Sequence, residues 1–333
     1  MKEHQDLIRE WRALPLGTPA ILATVVATRG STYRKPGARM LITEDRWLAG
    51  SISGGCLESD IVHTAWERTK DGPAIVEYDA TAEDDILLGF GLGCSGATTV
   101  LMTRLPADGG VLAFLERAIA DPRGGELDTI IEPGPGFGAS CGRLGDESWQ
   151  SVEGRFVDGR PTLHERIEGP FPLVVFGAGH DAIPLARLAA DLGWRVTVID
   201  GRTTHAIPAR FPGAHAVLVA APRVALEHVT LPPGGAAVLM THGYTNDLTL
   251  LGWLLDSELG YIGALGPVAR RERLLGDLEK EDRAPNDAQR ARLHAPVGLD
   301  LGAKGPEEIA LSIVAEILAW RNGRNGGSRR IEG

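Results

Sequence analysis

Residues 171–202 read FPLVVFGAGHDAIPLARLAADLGWRVTVIDGR: a buried strand, a glycine turn, an amphipathic helix and a second buried strand ending on an acid. Few folds accommodate that order, and it points to a nucleotide site in the C-terminal half. Gly177 and Gly179 permit a tight turn and let backbone N–H groups approach a pyrophosphate at a helix N-terminus. The third small position falls on Ala182, where alanine still allows close helix–strand packing. Asp200 lies 23 residues after Gly177, where an acid can bond a ribose 2′-hydroxyl. Arg202 leaves the nucleotide open, because Asp200 favours NAD whereas a neighbouring arginine can accept the extra phosphate of NADP. His180, at the helix start, either lies near the pyrophosphate or packs and caps the helix.

Beyond Asp200 the alternation continues. Residues 216–220, 236–241 and 261–265 are apolar runs of strand length, with helical spacing between them at 248–255. Strands alternating with helices imply a parallel, doubly wound sheet. Strand ends in such a sheet face the ligand crevice, which places His242 beside the nucleotide with Asp247 five residues on to orient it. A histidine satisfied by a loop carbonyl is the competing reading. A last helix starts at Pro306, with Glu307 and Glu308 in its first turn and Ile309, Ile313, Val314, Ile317 and Leu318 as its buried stripe.

The N-terminal half mixes short strands (20–28, 38–43, 48–52, 74–78, 97–104) with helices over 6–14, 57–69 and 110–120. A Gly- and Pro-rich stretch follows from 121 to 170, with strand-like pieces at 127–131, 148–152 and 155–157. The boundary falls near Gly169 and Pro170. This gives a 1–169 domain, a 170–322 domain and a disordered tail from 323 to 333. The fold class is α/β, a C-terminal Rossmann-like doubly wound parallel sheet behind an N-terminal α+β domain.

Two glycine loops each deliver a cysteine: Gly54-Gly55-Cys56-Leu57-Glu58 and Gly91-Leu92-Gly93-Cys94-Ser95-Gly96. At a helix start, Cys56 gains from free N–H groups that stabilise a thiolate. Thiolates suit sulfur transfer and soft metals such as molybdenum, while small buried hydrophobes are the other reading of both cysteines. Cys141, in the irregular middle, carries less weight. Upstream, Gly30, Ser31, Thr32 and Arg34 form a glycine- and hydroxyl-bearing basic loop able to cradle a phosphate; a solvated turn is the alternative.

Three cysteines are too few for a disulfide scaffold and fit a reducing cytoplasm. A net charge of −10 disfavours nonspecific attachment to nucleic acid or membranes. No apolar run reaches membrane-span length and the first residues lack a signal-peptide core.

Jointly, GSTYRKPG (30–37), GGCLE (54–58), GLGCSG (91–96), GAGH (177–180), Thr241-His242, YIGALG (261–266), LHAPVGLD (293–300) and PEEIALSIVAE (306–316) resemble the XdhC/CoxI family of xanthine dehydrogenase accessory factors. The resemblance implies an XdhC/CoxI domain followed by a Rossmann domain, often as a homodimer. It also implies a chaperone-like role in maturing molybdenum hydroxylases: holding the molybdenum cofactor, protecting it during sulfuration and helping to insert it. The partners so implied are a xanthine dehydrogenase-type molybdoenzyme and a cysteine desulfurase-type sulfur donor. Cys56 and Cys94 would approach molybdenum or accept sulfur, with Gly54, Gly55 and Gly93 allowing close approach. Gly30–Thr32 and Arg34 would hold the cofactor phosphate, and Gly177, Gly179, Asp200 and His242 a nucleotide. The chain departs from the pattern at Ser95, where glycine is expected, and at Asp181, where an apolar residue is usual. The alternative function is an NAD(P)-dependent oxidoreductase with His242 as acid/base.

Overall fold

The computed structural model describes residues 2–55, 57–79 and 96–328. It divides into two compact units, Met1–Pro170 and Phe171–Gly333.

In the first unit, helix α1 (Lys2–Ala13) precedes β1 (Ile21–Gly30), β2 (Arg39–Ile42), β3 (Trp47–Gly50), α2 (Glu58–Arg68), β4 (Ala74–Asp79), β5 (Gly96–Arg104) and α3 (Val111–Ala120). These strands form an antiparallel sheet in the order β3-β2-β1-β5-β4. Its centre is covered on both faces, which explains the near-continuous apolar run of β1. Ile21, Ala23 and Val25 pack with Met40, Val100 and Met102 beneath Ile61 and Ala65 of α2. Leu22 and Leu41 face the opposite way, onto Leu7 of α1 and Leu112 and Leu115 of α3. That second core also takes in Leu127, Leu144 and Ile167 of a four-stranded antiparallel sheet. Its strands are β6 (Gly125–Ile130), β7 (Ser140–Leu144), β8 (Glu147–Gln150) and β9 (Thr162–Ile167), ordered β8-β7-β6-β9.

Two strands of this ribbon, β7 and β9, are not evident in the sequence, and the expected piece at 155–157 is not a strand. Residues 155–157 lie in a turn excursion flanked by Gly154 and Gly159, both at positive φ. β9 reads TLHERI with only Ile167 buried, so no apolar alternation announces it.

A buried ion pair joins the two sheets. Arg39 on β2 donates to Glu165 on β9 through Nη1 at 3.0 Å and Nη2 at 2.5 Å, with 2% and 10% of the side chains exposed. His4 lies 3.4 Å from the same guanidinium. Burial, reinforced by the Arg39 charge, lowers its pKa to about 3.

The second unit runs β10 (Pro172–Phe176), α4 (Ala182–Asp191), β11 (Arg195–Asp200), β12 (Ala216–Val219), α5 (Pro222–His228), β13 (Ala236–Leu239), α6 (Tyr244–Leu255), β14 (Tyr261–Ala264), α7 (Val268–Lys280), α8 (Asp287–Ala291), β15 (Leu293–His294) and α9 (Pro306–Arg321). All six strands are parallel, ordered β12-β11-β10-β13-β14-β15, so the doubly wound sheet expected from the sequence is present. Leu173 and Val175 pack on α4 and α9, while Val174 and Phe176 pack on α6 and α7. The strand order reverses between β10 and β13, which opens a crevice at their carboxyl ends.

On α9, Ile313, Val314 and Ile317 are buried as expected, but Leu318 is 40% exposed. Ile309 is only partly buried; Ala310 and Ser312 join the inner face, where the Ser312 hydroxyl is satisfied by donating to the Leu299 carbonyl at 2.7 Å. Residues 323–328 carry no helix or strand, and 329–333 of the expected tail lie outside the described residues. No helix among the described residues is long and apolar enough to cross a membrane.

Candidate functional site

Two places gather the residues singled out by the sequence, one in each unit. In the first, register alone brings three chain segments to one end of the five-stranded sheet. Gly30 pairs with Gly96, and Met40 pairs with Gly50. The 30–37 loop, the 51–55 loop and the start of β5 therefore emerge side by side. A Cβ at Gly96 would lie 2.5 Å from the Arg29 carbonyl and 2.6 Å from that of Ser31, so only glycine lets β5 enter here. Thr32 donates to the Arg34 carbonyl at 3.0 Å, and Arg34 Nε donates to the Ser51 carbonyl at 3.1 Å. The Arg34 Nη2 edge is held by the Glu3 carboxylate, so a phosphate at this loop would exchange with Glu3. Gly54 lies beneath the exposed Tyr33 ring. In front of Gly55, at φ +112°, a Cβ would meet no described atom within 4 Å.

The residue that fixes the 51–55 loop is Glu58, which the sequence motif contains but residue type alone does not single out. Its carboxylate is 2% exposed and has no ion-pair partner among the described residues. Oε1 accepts from Ser51 Oγ at 2.7 Å, Ile52 N at 3.0 Å and Ser53 N at 2.8 Å. Oε2 accepts from Gly55 N at 3.1 Å and from the Ser53 hydroxyl. Burial alone would push this carboxyl up. The Ser53 and Ser51 hydroxyls and the Ser53 N–H outweigh it and hold the group below its usual range. The chain entering α2 is thus clamped from the helix side.

Cys56, Gly93 and Cys94 lie outside the described residues. Among the described residues no group of three or more His, Cys, Asp and Glu side chains is placed to hold a metal. Cys141 sits in β7 of the other sheet, where burial, then the Asp128 charge, push its thiol up.

In the second unit a cleft of about 320 Å³ opens at the ends of β10, β11, β12 and β13. Gly177, Asp200, Arg202, Ala221, His242 and Asn246 are among its lining residues. Gly177 stands at φ +111°, and a Cβ there would lie 2.6 Å from the Met240 carbonyl. The fingerprint's first glycine is therefore required by the approach of β10 to β13. At Gly179 a Cβ would come within 3.4 Å of His242 Nε2, which brings the turn and His242 together. His180 is exposed at the helix start and is not part of the cleft wall.

Asp247 does not orient His242. Its buried carboxylate accepts from the Thr241 hydroxyl and from Arg270 Nη2 at 2.7 Å, so it anchors the Thr241–Gly243 turn from below. The spacing of five residues suited a bond to His242, but α6 begins at Tyr244 and carries Asp247 inward.

Asp200 is 8% exposed and fully engaged. Oδ1 accepts from Arg202 N at 2.8 Å and Nε at 2.9 Å; Oδ2 accepts from Ala178 N at 2.7 Å and Arg202 Nη2 at 2.6 Å. Burial opposes ionisation, yet Arg202 and the two backbone N–H groups lower the pKa to about 2. The glycine turn at the end of β10, with Gly177 at positive φ, is of the kind that lets backbone N–H groups approach the pyrophosphate of a nucleotide. The acceptor expected to meet its ribose is already taken by Arg202.

These features define the class: a Rossmann domain of the doubly wound kind, preceded by an α+β unit whose 30–37 and 51–55 loops emerge at one sheet end. Residues 173–317 match the XdhC Rossmann domain and residues 13–79 match the XdhC and CoxI family. The chain is 34% identical, over 91% of its length and 93% of the relative's, to a Bacillus subtilis protein described as a probable xanthine dehydrogenase subunit. It is 25% identical to the molybdenum cofactor insertion chaperone PaoD of Escherichia coli, over 96% of this chain and 89% of that one. Among solved structures, a xanthine dehydrogenase from Bacillus halodurans superposes with a TM-score of 0.82 at 31% identity, covering 99% of this chain and 98% of that one. The chain belongs to the XdhC and CoxI family.

Proposed function

We propose that this protein is a maturation factor that binds the molybdenum cofactor and assists its sulfuration and insertion into a xanthine dehydrogenase-type molybdenum hydroxylase. The observation that carries the reading is the emergence of the 30–37 loop, the 51–55 loop and the start of β5 at one sheet end, beside Gly55, where a Cβ would meet no described atom within 4 Å. The names of full-length relatives, a cofactor insertion chaperone and a xanthine dehydrogenase subunit, point the same way.

In this reading Gly30, Ser31, Thr32 and Arg34 hold the cofactor phosphate, with Arg34 exchanging Glu3 for it. Gly54, Gly55 and Gly93 give the pterin edge close approach. Cys56 and Cys94 approach the molybdenum or accept sulfur; when bound, the cofactor supplies the metal centre that the client enzyme uses. Glu58 keeps the Ser51–Gly55 loop in one conformation, so the site is built before the cofactor arrives. The C-terminal unit binds NAD or NADP through Gly177, Gly179, Asp200, Arg202 and His242, with His180 at the rim. We further propose a cytoplasmic homodimer that works with the client dehydrogenase and a cysteine desulfurase-type sulfur donor, with 1–169 and 170–322 as its functional domains.

The test is reconstitution. Cofactor-free client enzyme is incubated anaerobically with sulfurated molybdenum cofactor, with and without this protein, and hydroxylase activity is followed. Activation that depends on the protein supports the reading, and equal activation without it refutes it.

A second reading, an NAD(P)-dependent oxidoreductase, draws on the placement of His242 against Gly179 in the cleft. NAD(P)H oxidation that survives replacement of both Cys56 and Cys94 would favour it over the first.

A further inference from the structure

Arg202 stands where a ribose would be expected to bond. A carboxylate has about four acceptor positions, and Asp200 spends all four on Ala178 N, Arg202 N, Arg202 Nε and Arg202 Nη2. A ribose 2′-hydroxyl reaching this acid would have to displace a paired, charge-assisted guanidinium from a carboxylate that is 7% exposed. Arg202 itself is 44% exposed on the wall of the same cleft. Its Nη1 hydrogens have no acceptor among the described residues, where only its N, Nε and Nη2 are bonded, so they remain free for a ligand.

A second cation stands near this rim. Arg223 directly follows the lining residue Pro222, is exposed, and has no ion-pair partner among the described residues. A dianion beside Arg202 gains charge-assisted bonds, whereas a neutral hydroxyl there finds no free carboxylate oxygen. The acid's own charge is turned inward, held by the two backbone N–H groups and screened by the guanidinium in front of it.

We propose that Arg202 is the specificity-determining residue of this crevice, closing Asp200 to a ribose 2′-hydroxyl and accepting a 2′-phosphate in its place. The inference rests on the nucleotide reading of the C-terminal unit and reverses the preference that an acid at the end of β11 ordinarily signals.

The experiment compares adenosine 2′,5′-bisphosphate with adenosine 5′-monophosphate on the full-length protein by calorimetric titration. The wild type binds the bisphosphate at least tenfold more tightly. Arg202→Ala reverses the order, because Asp200 is then open to the ribose diol and repels the 2′-phosphate. Arg223→Ala narrows the wild-type ratio without reversing it. Because the readout is a ratio of affinities within one preparation, a partly unfolded variant does not imitate the result. A wild type that binds both equally or prefers the monophosphate, or a ratio unchanged by Arg202→Ala, overturns the selectivity while leaving the nucleotide reading intact. Failure of wild type and variant to bind either ligand overturns the nucleotide reading, and this inference with it.

Discussion

Replacing Glu58 by Gln tests whether the Ser51–Gly55 loop is held by a charged clamp. Five donors converge on this carboxylate, three backbone N–H groups and two hydroxyls. A hydrogen bond to a charged group contributes about 1.5–3 kcal/mol and a neutral one about 0.5–1.5 kcal/mol, so each retained bond weakens by about 1 kcal/mol. The amide nitrogen also opposes at least one N–H that had an acceptor. The hydroxyls can turn towards new partners, which leaves a net loss of about 3 kcal/mol. For a unit of the size of Met1–Pro170 this lowers the midpoint of thermal unfolding by about 6–12 °C. Glu58→Ala, which removes every acceptor, costs more than Glu58→Gln. Calorimetry of the full chain reads the loss, and amide exchange at Ile52, Ser53 and Gly55 localises it. Glu67→Gln serves as the control, since its pair with Lys70 is on the surface and changes stability by less than about 0.5 kcal/mol. The sign with pH also follows. A carboxyl held below its usual range contributes stability that is complete above its unfolded value and fades as pH falls through the folded one. The gap between wild type and Glu58→Gln therefore closes in acid. A loss below about 1 kcal/mol with unchanged exchange at residues 52 and 53 would refute the clamp.

Two further outcomes concern the junction of the sheets in the first unit. Glu165→Ala strands the Arg39 charge and costs about 3–5 kcal/mol, whereas Arg39→Met with Glu165→Met recovers most of it; urea titrations of the three proteins check this. His4 stays neutral in the folded chain down to pH about 3, but the unfolded chain takes up a proton near the ordinary value. Stability therefore falls with decreasing pH below about 6.5, at up to about 1.4 kcal/mol per pH unit from this group. His4→Gln removes that slope in denaturation curves between pH 6.5 and 4.

The elements that the sequence made plain are those whose burial imposes a period. β10 is covered on both faces and reads as an unbroken apolar run, β11 carries Val196, Val198 and Ile199 into the same cores, and the Gly177 turn between β10 and α4 is dictated by backbone contact with Met240. The parallel sheet followed from these. β9 was hidden because TLHERI buries only Ile167, and β7 because two of its three buried positions are Ser140 and Gly142, which give no apolar alternation. α7 was missed for a related reason. Its sequence VARRERLLGDLEK buries only Leu274 and Leu278.

Sites behaved differently. The positions of Asp200 and His242 at strand ends could be read from spacing, but their bonding could not. Arg202 reaches back to Asp200, and Asp247 turns to Thr241 and Arg270, through side-chain geometry that a linear spacing does not encode. Glu58 had the same character. A glutamate after Gly-Gly-Cys-Leu looks like an ordinary first-turn acid, and its role emerges only when the loop folds back over it.

The central claim is that the N-terminal glycine loops hold the molybdenum cofactor through Cys56. Its most direct test is anaerobic incubation of purified wild type and Cys56→Ala with isolated cofactor, followed by ultrafiltration and quantification of retained molybdenum and pterin. The account predicts stoichiometric retention by the wild type and loss by Cys56→Ala, with thermal unfolding of the variant unchanged. Equal retention by both proteins, or none by the wild type, would contradict it.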